Sequence, residues 1–365
     1  MKVLHINAGL EEGGGKNHII SLLSQFDAGT VDLLVLEDGI VAEEAKKLGI
    51  TVHVLAQHSR YDLSILKRLA QFINTHSFDI IHTHGARANF IFSAIHNKVS
   101  AYWLITVHSD PALDFMNRGI RGNIFTKLNL ASLKKADHII VVTDSLKKPL
   151  LKLGIDEKKI TVIYNGIDFR VEIAKTENLS KNEIFTLTCV ARFHPIKGHE
   201  LLLESLKTID FSDYVLNLVG DGELKNSLEK KVHQLNLQKK VHFLGFLGQP
   251  EVEKVITTSD LTILASYNEG FPLVLLESAK QKVPFIATNV GDISLLIPNK
   301  SIGWLISPGS TSSLTQALNE AYREWQSGEL NAKGNKVHHL ASTQFSIEQF
   351  YQSTLSVYKK IIYNY

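Results

Sequence analysis

Short β-branched runs alternate with helix-periodic stretches along this chain, and the alternation begins twice. Lys2–Asn7, Val31–Leu36, Thr51–Leu55, Asp79–Thr83, Tyr102–Val107 and His138–Thr143 each carry Val, Ile or Leu in short blocks. Such blocks read as strands buried on both faces, the condition of a parallel sheet. Between them lie patterns such as Asp62–His76, where Leu63, Leu66, Leu69, Ala70 and Ile73 recur at three- and four-residue spacing. Asn165–Glu183 then loses its periodicity and turns polar. After it, Phe185–Ala191, Val215–Val219, Val241–Phe243, Leu261–Leu264 and Pro284–Ala287 repeat the strand grammar. Helices are expected near His199–Thr208, Glu223–Gln234 and Leu273–Gln281, with a last one at Ser346–Tyr363 after the polar stretch Ser327–Ser342. This order predicts an α/β chain of two Rossmann-like lobes facing each other across a cleft. The boundaries fall at 1–168 for the first lobe, 169–183 for a linker, 184–345 for the second lobe, and 346–365 for a C-terminal helix that can return to the first lobe.

A length of 365 residues supports two domains at roughly 150 residues each. The share of apolar residues is 44% and of charged residues 21%, which excludes a disordered chain. A net charge of +2 argues against a duplex-DNA binder, and no nucleic-acid partner is expected. The single cysteine, Cys189, rules out an intrachain disulfide and sits in an apolar run, where a buried structural thiol is expected. Met1–Gly15 does not read as a secretory signal, and no run approaches about 18 apolar residues, so a cytoplasmic protein is expected.

Ligands of open α/β sheets bind at the carboxyl ends of the strands, so the residues there matter most. The first strand leads into Gly9-Leu-Glu-Glu-Gly13-Gly14-Gly15 ahead of a helix from Lys16. A glycine turn at a helix N-terminus exposes backbone N–H groups to an anion, or is simply a flexible turn. Leu10 and Asn17 stand where a P-loop needs Gly and Ser or Thr. His82-Thr-His84 ends one strand, ahead of Arg87 and Asn89, and His108 ends the next. A His-x-His pair raises zinc, but no third ligand of sensible local spacing accompanies it, so hydrogen bonding is the expected role. For His82, capping of the next helix is the plainer reading.

In the second lobe, Arg192 and Lys197 lie five residues apart between a strand and a helix. A guanidinium fork and an ammonium point charge can together neutralise a diphosphate, although a surface ion pair is the plainer alternative. No Asp-x-Asp pair occurs, so the usual carboxylates for a magnesium-bound diphosphate are missing. Val219-Gly220-Asp221-Gly222 is a second strand-to-helix glycine turn. Glu269 precedes a helix opening near Pro272, and Glu277 follows eight residues later on nearly the same face, among Leu275, Leu276 and Ala279. A carboxylate in such surroundings needs donors.

Glu269-Gly-Phe-Pro-Leu-Val-Leu-Leu-Glu277, Ala191-Arg192-Phe-His-Pro-Ile-Lys197-Gly198, Val219-Gly-Asp-Gly222, the glycine loop at 13–15, Tyr164-Asn-Gly-Ile-Asp168 and Val290-Gly291-Asp occur here in a particular order and spacing. In that order the chain, from residue 1 to about 363, resembles a retaining glycosyltransferase of family 4 with the GT-B fold. The resemblance implies that Arg192 and Lys197 hold a donor diphosphate, Glu277 accepts the ribose hydroxyls and Glu269 binds the transferred sugar. Gly220, Gly270, Phe271 and Leu273 complete the donor set, and Gly291 belongs to the glycine turn after Pro284–Ala287. Phe246 and Leu247 either contact the base or pack. Gly14, Gly15, His84 and Asn165 fall to the acceptor and phosphate loop. His108 joins Glu269, Arg192 and Lys197 as the catalytic set.

The resemblance further implies a UDP-sugar donor, a glycan, lipid-linked or small-molecule acceptor, and a place in bacterial cell-surface polysaccharide or glycoconjugate synthesis. It implies no cofactor and no metal: Arg, Lys and backbone N–H donors would stabilise the leaving diphosphate. Phe115–Lys135 mixes Ile120, Ile124, Phe125 and Leu128 with five cations, so it either contacts the inner membrane surface or packs on its own lobe. A nucleotide-sugar epimerase or a glycan phosphorylase of two-lobed architecture and a non-enzymatic two-lobed binding protein remain alternatives.

Overall fold

A computed structural model describes residues 1–10, 14–57, 62–112, 119–170 and 184–363. The chain forms two compact units, Met1–Gly166 with Ile347–Tyr365, and Ile167–Ser346. Of the expected linker 169–183, all but Phe169 and Arg170 lies outside the described residues.

The first unit alternates strand and helix: β1 (Val3–Asn7), α1 (Gly14–Leu23), β2 (Val31–Val35), α2 (Ile40–Lys47), β3 (Thr51–Val54), α3 (Ser64–His76), β4 (Ile80–His84), α4 (Ala86–Ser93), β5 (Tyr102–Val107), α5 (Gly119–Lys135), β6 (His138–Val141), α6 (Lys147–Lys152) and β7 (Ile160–Val162). Its sheet is parallel in the order β3-β2-β1-β4-β5-β6-β7. The order reverses between β1 and β4, the switch point where such sheets bind ligands. Both sheet faces are covered. Leu4, Ile6, Ile81 and Ile105 join one core, and Val3, Ile80 and Leu104 join another that includes α1 residues. Phe350, Val357 and Tyr358 of the last helix complete that second core.

The second unit repeats the plan with β8 (Phe185–Val190), α7 (His199–Ser205), β9 (Tyr214–Val219), α8 (Lys225–Gln234), β10 (Val241–Gly245), α9 (Gln249–Thr257), β11 (Leu261–Leu264), α10 (Leu273–Lys280), β12 (Phe285–Thr288), β13 (Trp304–Ile306), α11 (Thr311–Ser327) and α12 (Leu330–Gln344). Its parallel order is β10-β9-β8-β11-β12-β13, reversing between β8 and β11. α13 (Ile347–Tyr363) follows and belongs to the first unit. Two readings change. The stretch Ser327–Ser342, read only as polar, is largely α12, which buries Leu330, Val337 and Ala341. β7 and β13 are three-residue strands that the sequence reading passed over. Cys189 is buried on β8, and burial pushes its thiol up to about 12.

Candidate active site

In the second unit the expected residues gather at the carboxyl ends of β8, β9, β11 and β12. Arg192 follows β8, is exposed, and makes no ion pair among the described residues. Three residues after it a single 3-10 turn, Pro195–Lys197, begins, and it ends in Gly198 at φ +68°. A Cβ on Gly198 would sit 2.0 Å from the Ala265 carbonyl oxygen, so only glycine lets this loop lie against the end of β11. The Tyr267 amide donates to Ile196 O at 2.7 Å and closes the same seam.

This seam brings Lys197 to Glu269. Lys197 Nζ donates to Glu269 Oε1 at 2.6 Å, and Ser266 Oγ donates to the same oxygen at 2.7 Å. The Glu269 side chain is only 10% exposed, so the lysine offsets a largely desolvated charge. A third loop fixes the glutamate from behind. Gly291, at φ +55°, would carry a Cβ 2.3 Å from Glu269 O and 2.5 Å from Gly270 O. The Asp292 amide donates to Gly270 O at 3.3 Å.

α10 starts one residue after Pro272, and its first backbone N–H groups have no acceptor within the helix, which favours an anion there. Leu273 is its first residue. Glu277 is half-buried, and burial raises its pKa above the ordinary carboxylate value while a hydrogen bond from Gln249 Nε2 at 2.9 Å opposes the rise. The Gly220 amide donates to Gly245 O at 2.8 Å, which ties the β9 turn to the end of β10. Phe271 is buried with its ring 4.7 Å from Phe345, so its side chain packs. Leu247 packs beside Val219, Val252, Ile256 and Val283, whereas Phe246 stands 81% exposed. The two residues left open by the sequence thus separate: Leu247 packs, and Phe246 does not.

In the first unit, sheet register assembles histidines that no local spacing reveals. His5 on β1 pairs with His82 on β4, and His84 two residues on faces the same side. His18 from α1 reaches this group, its ring centroid 4.5 Å from that of His108 after β5. His5, His18, His82 and His84 are buried. His82 does not cap the following helix: its Nδ1 lies 2.6 Å from Tyr358 Oη and its Nε2 2.6 Å from Thr106 Oγ1. His84 Nε2 is 2.9 Å from His5 Nδ1, and His18 Nδ1 is 2.6 Å from Asn165 Oδ1. Burial lowers the pKa of all these rings, to about 3 for His5, about 4 for His18, and well below the ordinary value for His82, His84 and His108.

An open cavity of about 360 Å³ is lined by Gly15, Gly85, Asn89, Thr106, His108 and Ser109, among others. Gly14 and Gly15 open α1, while Gly13 lies outside the described residues. The assignment of His84 to the ligand-contacting loop needs correction, because the ring has no exposed surface and supports the wall from within. Asn165, likewise buried, acts on His18. His5 and His18 were missed, although a histidine inside the apolar β1 run is itself an unusual signal.

Comparison with known proteins bears on both units. Residues 12–171 match the model of Glycosyltransferase Family 4, and residues 170–336 match that of Glycosyl transferases group 1. The UDP-Gal:alpha-D-GlcNAc-diphosphoundecaprenol alpha-1,3-galactosyltransferase of Escherichia coli is 28% identical over 70% of this chain and 70% of its own length. N-acetyl-alpha-D-glucosaminyl L-malate synthase of Bacillus anthracis is 26% identical over 84% of this chain and 81% of its own. The crystal structure of Anabaena HepE in complex with UDP superposes at a TM-score of 0.85 with 19% identity, covering 99% of this chain and 100% of that one. Two parallel α/β units, the loops at the carboxyl ends of their strands and these matches agree: the chain is a GT-B-fold glycosyltransferase and belongs to glycosyltransferase family 4.

Proposed function

We propose that the protein transfers a sugar from a UDP-sugar to a hydroxyl of a glycan or lipid-linked acceptor, with retention of anomeric configuration and without a metal at the diphosphate. The observation that carries this reading is the Lys197–Glu269 pair and the exposed Arg192 at the β8/β11 switch point. The relatives' names add support: one names a UDP-linked sugar donor and a diphosphoundecaprenol acceptor, and the superposed HepE holds UDP.

In this reading Arg192 and Lys197 take the diphosphate oxygens, and the N-terminal turn of α10 adds backbone donors. Glu277 accepts the ribose hydroxyls, Glu269 the hydroxyls of the transferred sugar, and Phe246 lies against the base. The sugar C1–O bond to the diphosphate breaks as positive charge builds at C1. The acceptor oxygen bonds C1 on the face the diphosphate leaves, and its proton passes to a departing phosphate oxygen. Glu269 is therefore a binding group and not a nucleophile. His108 and Gly15 line the first unit's own cavity, which we assign to the acceptor.

The test is a panel of UDP-, GDP- and ADP-sugars in EDTA, read by thermal shift and by slow donor hydrolysis. Stabilisation and hydrolysis with one UDP-sugar are expected. Silence across the panel would overturn the clamp. A product whose anomeric configuration, read by NMR, is inverted from the donor's would overturn retention.

A further inference from the structure

We propose that His18, His84 and His108 form a binding site in the first unit for one divalent transition-metal ion of the zinc class, with an open coordination position at the neighbouring cavity. The ligand atoms these three rings offer all lie within 4.8 Å of one another. Three imidazoles with one open position are the donor set of a catalytic zinc site, where bonds near 2.0–2.1 Å call for nitrogens about 3.4 Å apart. Small ring rotations close that difference. An all-imidazole set suits zinc, cobalt, nickel and copper over magnesium or calcium.

The second observation is that two of the nitrogens are buried without any partner. His84 Nδ1 and His108 Nε2 make no hydrogen bond among the described residues. A buried polar atom left this way destabilises the fold, and a metal bond would remove that cost.

The surrounding bonds also orient the rings as ligands. One chain runs from His84 Nε2 to His5 Nδ1 at 2.9 Å, from His5 Nε2 to Tyr358 Oη at 3.1 Å, from Tyr358 Oη to His82 Nδ1 at 2.6 Å, and from His82 Nε2 to Thr106 Oγ1 at 2.6 Å. It can run in two directions. One leaves His84 Nδ1 as a buried N–H with no acceptor, and the other, with His84 Nε2 donating, leaves it a lone pair. His18 Nδ1 donates to Asn165 Oδ1 at 2.6 Å, so its Nε2 is likewise a lone pair. Ligating histidines ordinarily donate their other nitrogen to such a partner. His108 also lines the cavity, so the fourth position opens there, to water or to an oxygen of a bound ligand. The site lies wholly in the first unit and does not depend on the diphosphate clamp of the second.

The test uses the untagged full chain, stripped with chelator, dialysed and titrated with Co²⁺, then with Zn²⁺. One cobalt per chain is expected, with the visible absorption of a four-coordinate ion that zinc displaces, and a higher Tm with zinc. His108→Ala and His18→Ala should each abolish stoichiometric binding while the Tm in chelator shows a folded chain. His84→Ala, deeper in the core, is a further arm if it folds. Tyr358→Phe should weaken binding about 10- to 100-fold through the second set of bonds. No cobalt uptake by the folded wild type, or stoichiometric uptake that survives in both His108→Ala and His18→Ala, would overturn the site.

Discussion

Lys197 Nζ lies 2.6 Å from Glu269 Oε1, so a residue after β8 and one after β11 share a charge across the switch point of the second sheet. The pair is a device for placement as well as neutralisation. Each partner arrives on a different loop, and neither loop could drift without uncovering a mostly buried carboxylate.

This arrangement separates two variants that look alike on paper. Arg192→Ala removes an exposed cation that makes no ion pair among the described residues, and should leave Tm nearly unchanged. Lys197→Ala strands Glu269 and should lower both Tm and activity. Each should cost on the order of 3 kcal/mol in the transition state, about 100-fold in kcat, as loss of one preset charge-stabilising donor does elsewhere. Steady-state kinetics and thermal melts of the two variants check this, and a fully active Arg192→Ala would remove the clamp.

Gly291→Ala should damage the site from behind. Its Cβ would meet Glu269 O at 2.3 Å, so the turn must open and carry the Glu269 backbone with it. Gly328, at φ +82° with nothing within 4 Å, supplies the comparison, because alanine there meets only the backbone penalty of about 1–2 kcal/mol. Gly291→Ala should therefore lower Tm more than Gly328→Ala and should alone lower kcat. Equal melts and equal rates would show that the 291 turn has room.

Glu277 should act through donor binding. Glu277→Gln keeps the shape and loses the charge that would accept two ribose hydroxyls. A hydrogen bond to a charged group contributes about 1.5–3 kcal/mol, so donor KM should rise roughly 10- to 100-fold with kcat much less affected. Because burial raises the Glu277 pKa, its carboxylate is lost at a higher pH than an ordinary glutamate's. Wild-type donor KM should begin to climb on acidification before an exposed carboxylate would titrate, and Glu277→Gln should show no such climb. Donor KM measured for both proteins at several pH values decides it.

The histidine cluster sets how the first unit responds to acid. Each ring binds protons less well folded than unfolded, where its pKa is near 6.5, against about 3 for His5 and about 4 for His18 in the fold. Below pH 6.5 the unfolded state therefore binds more protons, and stability falls as pH drops, until the folded pKa values are reached. One such ring contributes a slope of about 1.4 kcal/mol per pH unit, and His82, His84 and His108 shift in the same direction. Urea unfolding from pH 7.5 to 5.0 should show a slope steeper than one ring gives, reduced in His5→Gln. A flat profile would mean that the rings are not buried neutral.

Much of the fold was legible in the sequence because a parallel strand must be apolar on both faces, and β1, β5 and β11 show that in four to six consecutive letters. β7 and β13 span three residues each and carry too few letters to register. α12 was hidden because it packs through small residues: a Cβ on Gly334 would lie 2.0 Å from Lys282 O, and Lys333 lays its ammonium 3.8 Å from the Trp304 ring. Arg192, Lys197, Gly220 and Glu269 stood out in the sequence as motifs, since each sits between a strand and the next helix. What joins them was not: Lys197 and Glu269 are 72 positions apart, and His5 meets His84 across 79. Such pairings come from sheet order and register, which local spacing does not encode.

α5 bears on where the acceptor is met. Ile124 and Phe125 are 53% and 44% exposed, and Lys127, Lys134 and Lys135 are exposed on the same helix. No helix among the described residues is long and apolar enough to cross a membrane, so any contact would be at the surface. Apolar side chains beside lysines suit an anionic bilayer, where each nearby lysine contributes about 1 kcal/mol and salt screens the attraction. Co-sedimentation with anionic vesicles should be strong at low salt, weaker at high salt and absent with neutral lipid. Ile124→Ser should reduce it without lowering Tm, because that side chain is already more than half exposed. Vesicle binding that is absent at every salt concentration would leave α5 as a solvated helix and the acceptor as one met in solution.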